Sequence, residues 1–181
     1  MADQGASPRE QVLEACRRNN TELLEEVFAS ITSSSKSARK DADAEIASLL
    51  NNARDGIGSG VLHIAASAGG YEVLDLLLDQ PGLEVDELDR MEGDTPLHKA
   101  VRYVNESDKA DWEHAIQVVD ILLDAGCDPR IRNKAKLTPR ELADPRNTEL
   151  RSMLQKAEYA LMVQGDVVDD DDDGGSGSET D

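Results

Sequence analysis

Histidine is the side chain that most often carries acid–base chemistry or a metal near neutral pH, and this sequence has three, His63, His98 and His114. His98 lies in "GDTPLHKA" (93–100), close behind the acid Asp94 and the hydroxyl of Thr95, a grouping that raises general-base catalysis or metal binding. His63, however, occupies the same place in "GSGVLHIAASAGG" (58–70), again directly after a leucine. A catalytic site needs different residues converging on one point, whereas one residue returning at a fixed interval is what a structural role requires. Both histidines are therefore read as props of the fold. His114, beside Asp111 and Trp112, has no second His, Cys or carboxylate at metal-ligand spacing and reads as solvated.

Other chemistry finds little support. No G-x-S-x-G, phosphate-binding loop or dinucleotide fingerprint occurs in the chain. In "DDDDDGGSGSETD", Asp169, Asp171, Asp173 and Gly174 open like a calcium loop, but the twelfth position is Thr180 where a bidentate Glu is needed. Ser178 stands three residues before an acid, so an acid-directed kinase site and an unmodified chain end both remain open there. The expectation is a protein that is not an enzyme and uses neither cofactor nor metal.

Charge narrows the partners. The formal net charge is −19, and without the eight acids from Asp166 onward it is still −11, from 19 bases against 30 acids. Such a surface repels DNA, RNA and anionic membranes and favours a protein partner with a basic surface. The basic run Arg130, Arg132, Lys134, Lys136 and Arg140 lacks interleaved aromatics. It reads as a solvated face or as an internal contact for the acidic tail rather than as a nucleic-acid site. The first residues contain no apolar segment of signal-peptide type, and no apolar run approaches membrane-spanning length. Cys16 and Cys127 read as buried thiols in a reducing compartment, so the expected location is cytoplasmic, nuclear or both.

The elements that must position the histidines follow from their surroundings. Thr95 can cap a helix, Pro96 suits the first helical position, and Leu97 begins a buried stripe. "KLTPRELA" (136–143) repeats Thr138, Pro139 and a closing Leu-Ala, whereas the copy at 58–70 keeps the Leu-His pair. This pattern resembles the ankyrin repeat, with T-P-L-H-x-A at its core and a period of about 33 residues. "YEVLDLLLDQPG" (71–82) and "IQVVDILLDAGCDP" (116–129) are similar to the family's second helix. "LEACRRNNTELLEEVF" (13–28) and "ELRSMLQKAEYALMV" (149–163) resemble degenerate end copies with polar faces, which predicts a monomer.

The resemblance implies an all-α ankyrin-repeat solenoid of about four helix-turn-helix repeats over residues 8–163, after a flexible segment 1–7 and before a disordered acidic tail 164–181. Two insertions interrupt it. In 31–55, Ala42, Ile46, Leu49 and Ala53 recur at helical spacing and predict an extra short helix. In 103–114, Asn105 can end one helix and Ser107 or Asp108 can start the next. Arg140 stands where the family has Leu, which leaves the last inner helix less well buried.

What the family binds, it binds on turn tips and the open side of its first helices. Carried over position by position, that surface comprises Gly56, Ile57, Ser59, Ser67 and Ala68, then Met91, Glu92, Asp94, Arg102 and Tyr103, then Lys134, Ala135 and Leu137. Trp112 is either a further anchor or packs on its own helix pair. The overall plan is similar to small single-domain ankyrin proteins of fungi, one of which escorts a basic small-subunit ribosomal protein. It implies a non-catalytic interaction module with either such an escort role or a regulatory role in which the acidic tail occupies an enzyme's basic cleft.

Overall fold

The computed structural model describes residues 5–34 and 39–166. The acidic tail from residue 167, with its calcium-loop comparison and Ser178, lies outside the described residues, as do residues 1–4 and 35–38.

Among the described residues, nine α-helices run in chain order: α1 (Pro8–Arg18), α2 (Thr21–Ser34), α3 (Arg39–Asn52), α4 (Val61–Ser67), α5 (Tyr71–Leu78), α6 (Pro96–Glu106), α7 (Trp112–Asp124), α8 (Pro139–Leu142) and α9 (Thr148–Asp166). A 3₁₀ turn, Lys109–Asp111, precedes α7, and no strand forms among the described residues. Helices α1, α4, α6 and α8 pack side by side as an inner row, and α2, α5, α7 and α9 form an outer row against them. The helical-period stripe explains the packing. In α6, Leu97, Ala100, Val101 and Val104 are all 0% exposed, so each repeat buries its face against the next. Each fully buried Leu or Val contributes about 1.5–3 kcal/mol, which no isolated hairpin can gain.

Four helices of the inner row start alike. Ser7, Gly60, Thr95 and Thr138 are the caps, followed three residues on by Glu10, His63, His98 and Glu141, and each of these side chains accepts from the cap's backbone N–H. Val12, Ala65, Ala100 and Ala143, two residues further, are each at most 2% exposed. The first repeat thus begins with the "SPRE" of residues 7–10, not inside the helix at residue 13, and Ser7 is a cap rather than part of a loose segment.

The insertions resolve as follows. Helix α3 forms as expected, but its buried stripe is Ala42, Ile46, Leu50 and Ala53, with Leu49 only partly buried. The 103–114 segment lengthens α6 to Glu106, beyond Asn105, and Ser107 caps its end while Asp108 starts the 3₁₀ turn. Asn105 instead joins repeats: its Nδ2 donates to Leu142 O at 3.0 Å and its Oδ1 accepts from Asp144 N at 2.9 Å. Helix α9 continues to Asp166, past the expected start of the tail at 164. Arg140 is half-buried and donates to Glu158 of α9 at 2.7 Å. Cys16 and Cys127 are both free and buried, and burial pushes the Cys16 thiol up to about 12. No helix among the described residues is long and apolar enough to cross a membrane.

Candidate protein-binding surface

Each histidine holds two repeats together. His98 Nδ1 accepts from Thr95 N–H at 3.2 Å, and Thr95 Oγ1 lies 2.8 Å from the same nitrogen. Its Nε2 is 2.9 Å from Leu137 O. A carbonyl only accepts, so Nε2 carries the proton and the imidazole is neutral. His63 repeats the geometry one step earlier, accepting from Gly60 N–H at 3.3 Å and donating to Asp94 O at 2.9 Å. Both rings are about fully buried, and burial holds both below the usual histidine value, against the pull of the carbonyls they donate to. Both ring nitrogens of each histidine are thus engaged within the fold.

Those bonds set three turn fingers in a row, residues 53–60, 86–95 and 128–138. The residue two before each helix cap is left-handed, at Gly58 (φ 87), Gly93 (φ 65) and Lys136 (φ 65). A Cβ on Gly58 would lie 2.6 Å from Arg90 Cβ, so the tips stack at glycine-only distance. Farther along, Lys134 N donates to Glu92 O at 2.9 Å, and its Nζ reaches Met91 O at 3.1 Å.

A buried charge network stiffens the second of these fingers. Asp94 accepts from Arg102 Nε at 2.7 Å and from Asn133 Nδ2 at 2.9 Å. Burial pushes its carboxyl up, but these bonds outweigh it and hold Asp94 far below the usual carboxylate range. Asp89, Glu92 and Asp94 bring carboxylate oxygens within 4.8 Å of one another, spacing that suits a cation. Lys99 Nζ already fills that role, at 2.9 Å from Asp89, 3.1 Å from Glu92 and 3.3 Å from Asp94.

The surface expected from the sequence is therefore split. Ile57, Ser59, Ser67 and Ala68 line one groove of about 360 Å³, together with Arg17 and Lys99. Gly56, Met91, Glu92, Lys134 and Ala135 are exposed on the fingers, and Arg102 and Tyr103 are half-buried on α6. One position, Asp94, needs correction, while Ser59 reaches the groove with only a small part of its surface. Asp94 is 0% exposed because it is consumed by Arg102 and Asn133, and Ser59 is 8% exposed because its backbone closes the turn on Asp55. Leu137 is partly buried and offers its carbonyl to His98 rather than to a partner. Trp112 is half-buried against the core, at the start of an outer helix and away from the groove. A second cavity, about 740 Å³, lies between the start of α1 and the first finger, lined by Arg9, Glu10, Arg17, Arg54 and Gly56 among others. The matching of "SPRE" with "TPRE" was the signal for it.

The basic run is mostly neutralised in place. Arg130 pairs with Asp128 at 2.8 Å, Arg132 with Glu141 at 2.9 Å and Arg140 with Glu158 at 2.7 Å.

Two rows of antiparallel helices joined by stacked fingers and by Thr/Gly-to-His caps define an ankyrin solenoid. The chain belongs to the ankyrin-repeat family: the family described as ankyrin repeats, in three copies, matches residues 12–133. It is also similar to the ankyrin repeat-containing protein YGL242C of Saccharomyces cerevisiae, 40% identical over 177 residues that cover 96% of this chain and 91% of the relative. Ankyrin repeats are protein–protein interaction modules and typically non-catalytic.

Proposed function

We propose that this ankyrin module binds a protein with a basic surface and acts as its escort. One observation carries the reading. Helices α2, α5 and α7, three neighbours in the outer row, contain no lysine or arginine, yet expose Glu22, Glu25, Glu26, Glu72, Asp75, Glu113, Asp120 and Asp124. The bases gather instead on the inner row and fingers, where most are paired. Among the described residues these acids form no ion pair, although Glu72 accepts from Asn19 Nδ2, and acids so placed can screen a client's lysines and arginines until a stronger polyanion takes over. The regulatory alternative rests on the tail, beyond residue 166, and gains no support from the described helices.

Capture of partners by the full chain at low and high salt, followed by mass spectrometry, tests this. Basic proteins should be retained at low salt and released at high salt, and the triple variant Glu72→Lys, Asp75→Lys, Asp120→Lys should lose them. Retention of the same partners by the variant would contradict it.

A further inference from the structure

Large apolar side chains exposed singly are ordinary, whereas adjacent ones mark a contact. Among the described residues, three of the seven exposed large apolar side chains fall within five positions of α9: Tyr159 (69% exposed), Met162 (61%) and Val163 (44%). The buried residues of this helix, Leu150 and Leu154, lie in its first two turns, and it packs on α7 and α8. The helix nevertheless runs on from Leu154 to Asp166, about 18 Å farther at the usual rise per residue.

The stripe is not an edge of the core-facing side. At helical spacing Leu150, Leu154, Ala157 and Leu161 share one face, all buried or half-buried, and Tyr159, Met162 and Val163 point the opposite way. That outward face carries Ser152, Gln155 and Lys156 in its first half, all exposed, as a water-facing terminal repeat requires. From Tyr159 the same face turns apolar. Helix propensity does not call for the change, because Gln, Glu and Lys favour a helix as well as Met does and better than Tyr or Val.

Charge selects what covers it. From Ala157 to Asp181 the sequence has no lysine, arginine or histidine, and Asp166 and Asp169 to Asp173 follow the stripe. A second copy of this chain would bring a net charge of −19 and the same acids to the same helix end. An anionic membrane is repelled for the same reason. Backbone chemistry sets the occupant's shape. A helix interior has already used its main-chain N–H and C=O groups, so it offers no edge to an extended strand, whereas a second helix arrives with its own bonds made.

We propose that the outward face of α9, from Tyr159 to Val163, docks an amphipathic basic helix of the partner protein. Apolar residues one turn apart on that helix rest on Tyr159, Met162 and Val163, and the lysines or arginines beside them are drawn by the acids that follow in the chain. The inference rests on the protein-binding reading and gives it an apolar anchor in the last repeat, away from the fingers.

The probe is a synthetic helical peptide of about 18 residues with leucine on one face and lysine on the other, beside a twin carrying glutamate for lysine. The chain has four methionines, so carbon-13 methyl labelling of the full-length protein follows each of them, and Met162→Gln identifies the resonance of Met162. The lysine peptide should shift that resonance on titration and leave the Met91 methyl in place, and the glutamate peptide should shift neither. The double variant Tyr159→Gln, Met162→Gln should bind the lysine peptide roughly tenfold more weakly by fluorescence anisotropy, the effect of losing interface anchors. Met91→Gln on a finger tip should change it less than about twofold, and the urea midpoints of the free variants should stay put because all three positions are exposed. A lysine peptide that leaves the Met162 resonance in place, or that binds the double variant as tightly as the parent, overturns the proposal. So does self-association of the parent chain, or its flotation with phosphatidylcholine vesicles, that the double variant loses. The wider reading is judged apart: basic proteins retained by the double variant but lost from the triple lysine variant overturn the α9 contact and leave protein binding standing.

Discussion

The inner and the end repeats solve one problem with two different side chains. Three residues after the cap, repeats two and three carry His63 and His98, and repeats one and four carry Glu10 and Glu141. All four close the capping box. Only the histidines have a second ring nitrogen with a proton to give, and each donates it to the following finger, at Asp94 O and Leu137 O. The glutamates turn their oxygens back: Glu10 onto Ser7, Glu141 onto Thr138 and Arg132. Coupling between repeats thus needs an acceptor and a donor on one rigid ring, and a carboxylate can start a helix but cannot hand the bond onward.

That contrast breaks most sharply at His98. Its replacement by Ala leaves Thr95 N–H and Leu137 O unpaired and opens a hole, at a cost of about 3 kcal/mol. Glu141→Ala, at an exposed cap, should cost about 1 kcal/mol or less. Urea unfolding of the two variants measures the ratio, and equal losses would remove the distinction. Lost partner capture with unaltered stability in His98→Ala would restore a functional role to the ring.

Acid should act on the inner repeats first. Burial holds His63 and His98 below their ordinary value of 6.5, so the unfolded chain takes up protons before the folded one does. Stability is then complete above that pH and falls as pH drops through it toward the folded values, because protonated Nδ1 cannot accept from the cap. Asp94, also held low, loses its contribution only below the ordinary aspartate value of 3.8. A urea midpoint that declines between pH 7 and pH 5 checks this. The double variant His63→Gln, His98→Gln should flatten the slope, since Gln also completes a capping box without titrating.

The smallest effect has the opposite sign. Lys136 occupies the left-handed finger position that Gly58 and Gly93 fill elsewhere. Lys136→Gly should relieve strain of about 1 kcal/mol and raise the melting temperature. A lower melting temperature would mean that the lysine side chain contributes more than its backbone costs.

Local pattern was enough for most of the scaffold. The caps at Thr95 and Thr138, the stripe of α6, the extra helix after residue 39 and the structural role of the histidines all follow from spacing and residue type. These depend on interactions within a few residues or on a periodic face, and both are written along the chain. Even the start of the first repeat was legible, had "SPRE" been set beside "TPRE". What residues far apart do to one another was not. The claim of Arg102 and Asn133 on Asp94, the bridge from Asn105 to the last repeat, and the sorting of acids onto α2, α5 and α7 each depend on how successive repeats are turned and stacked. A side chain's type says what bonds it can make, but only packing decides whether a partner or solvent stands within reach.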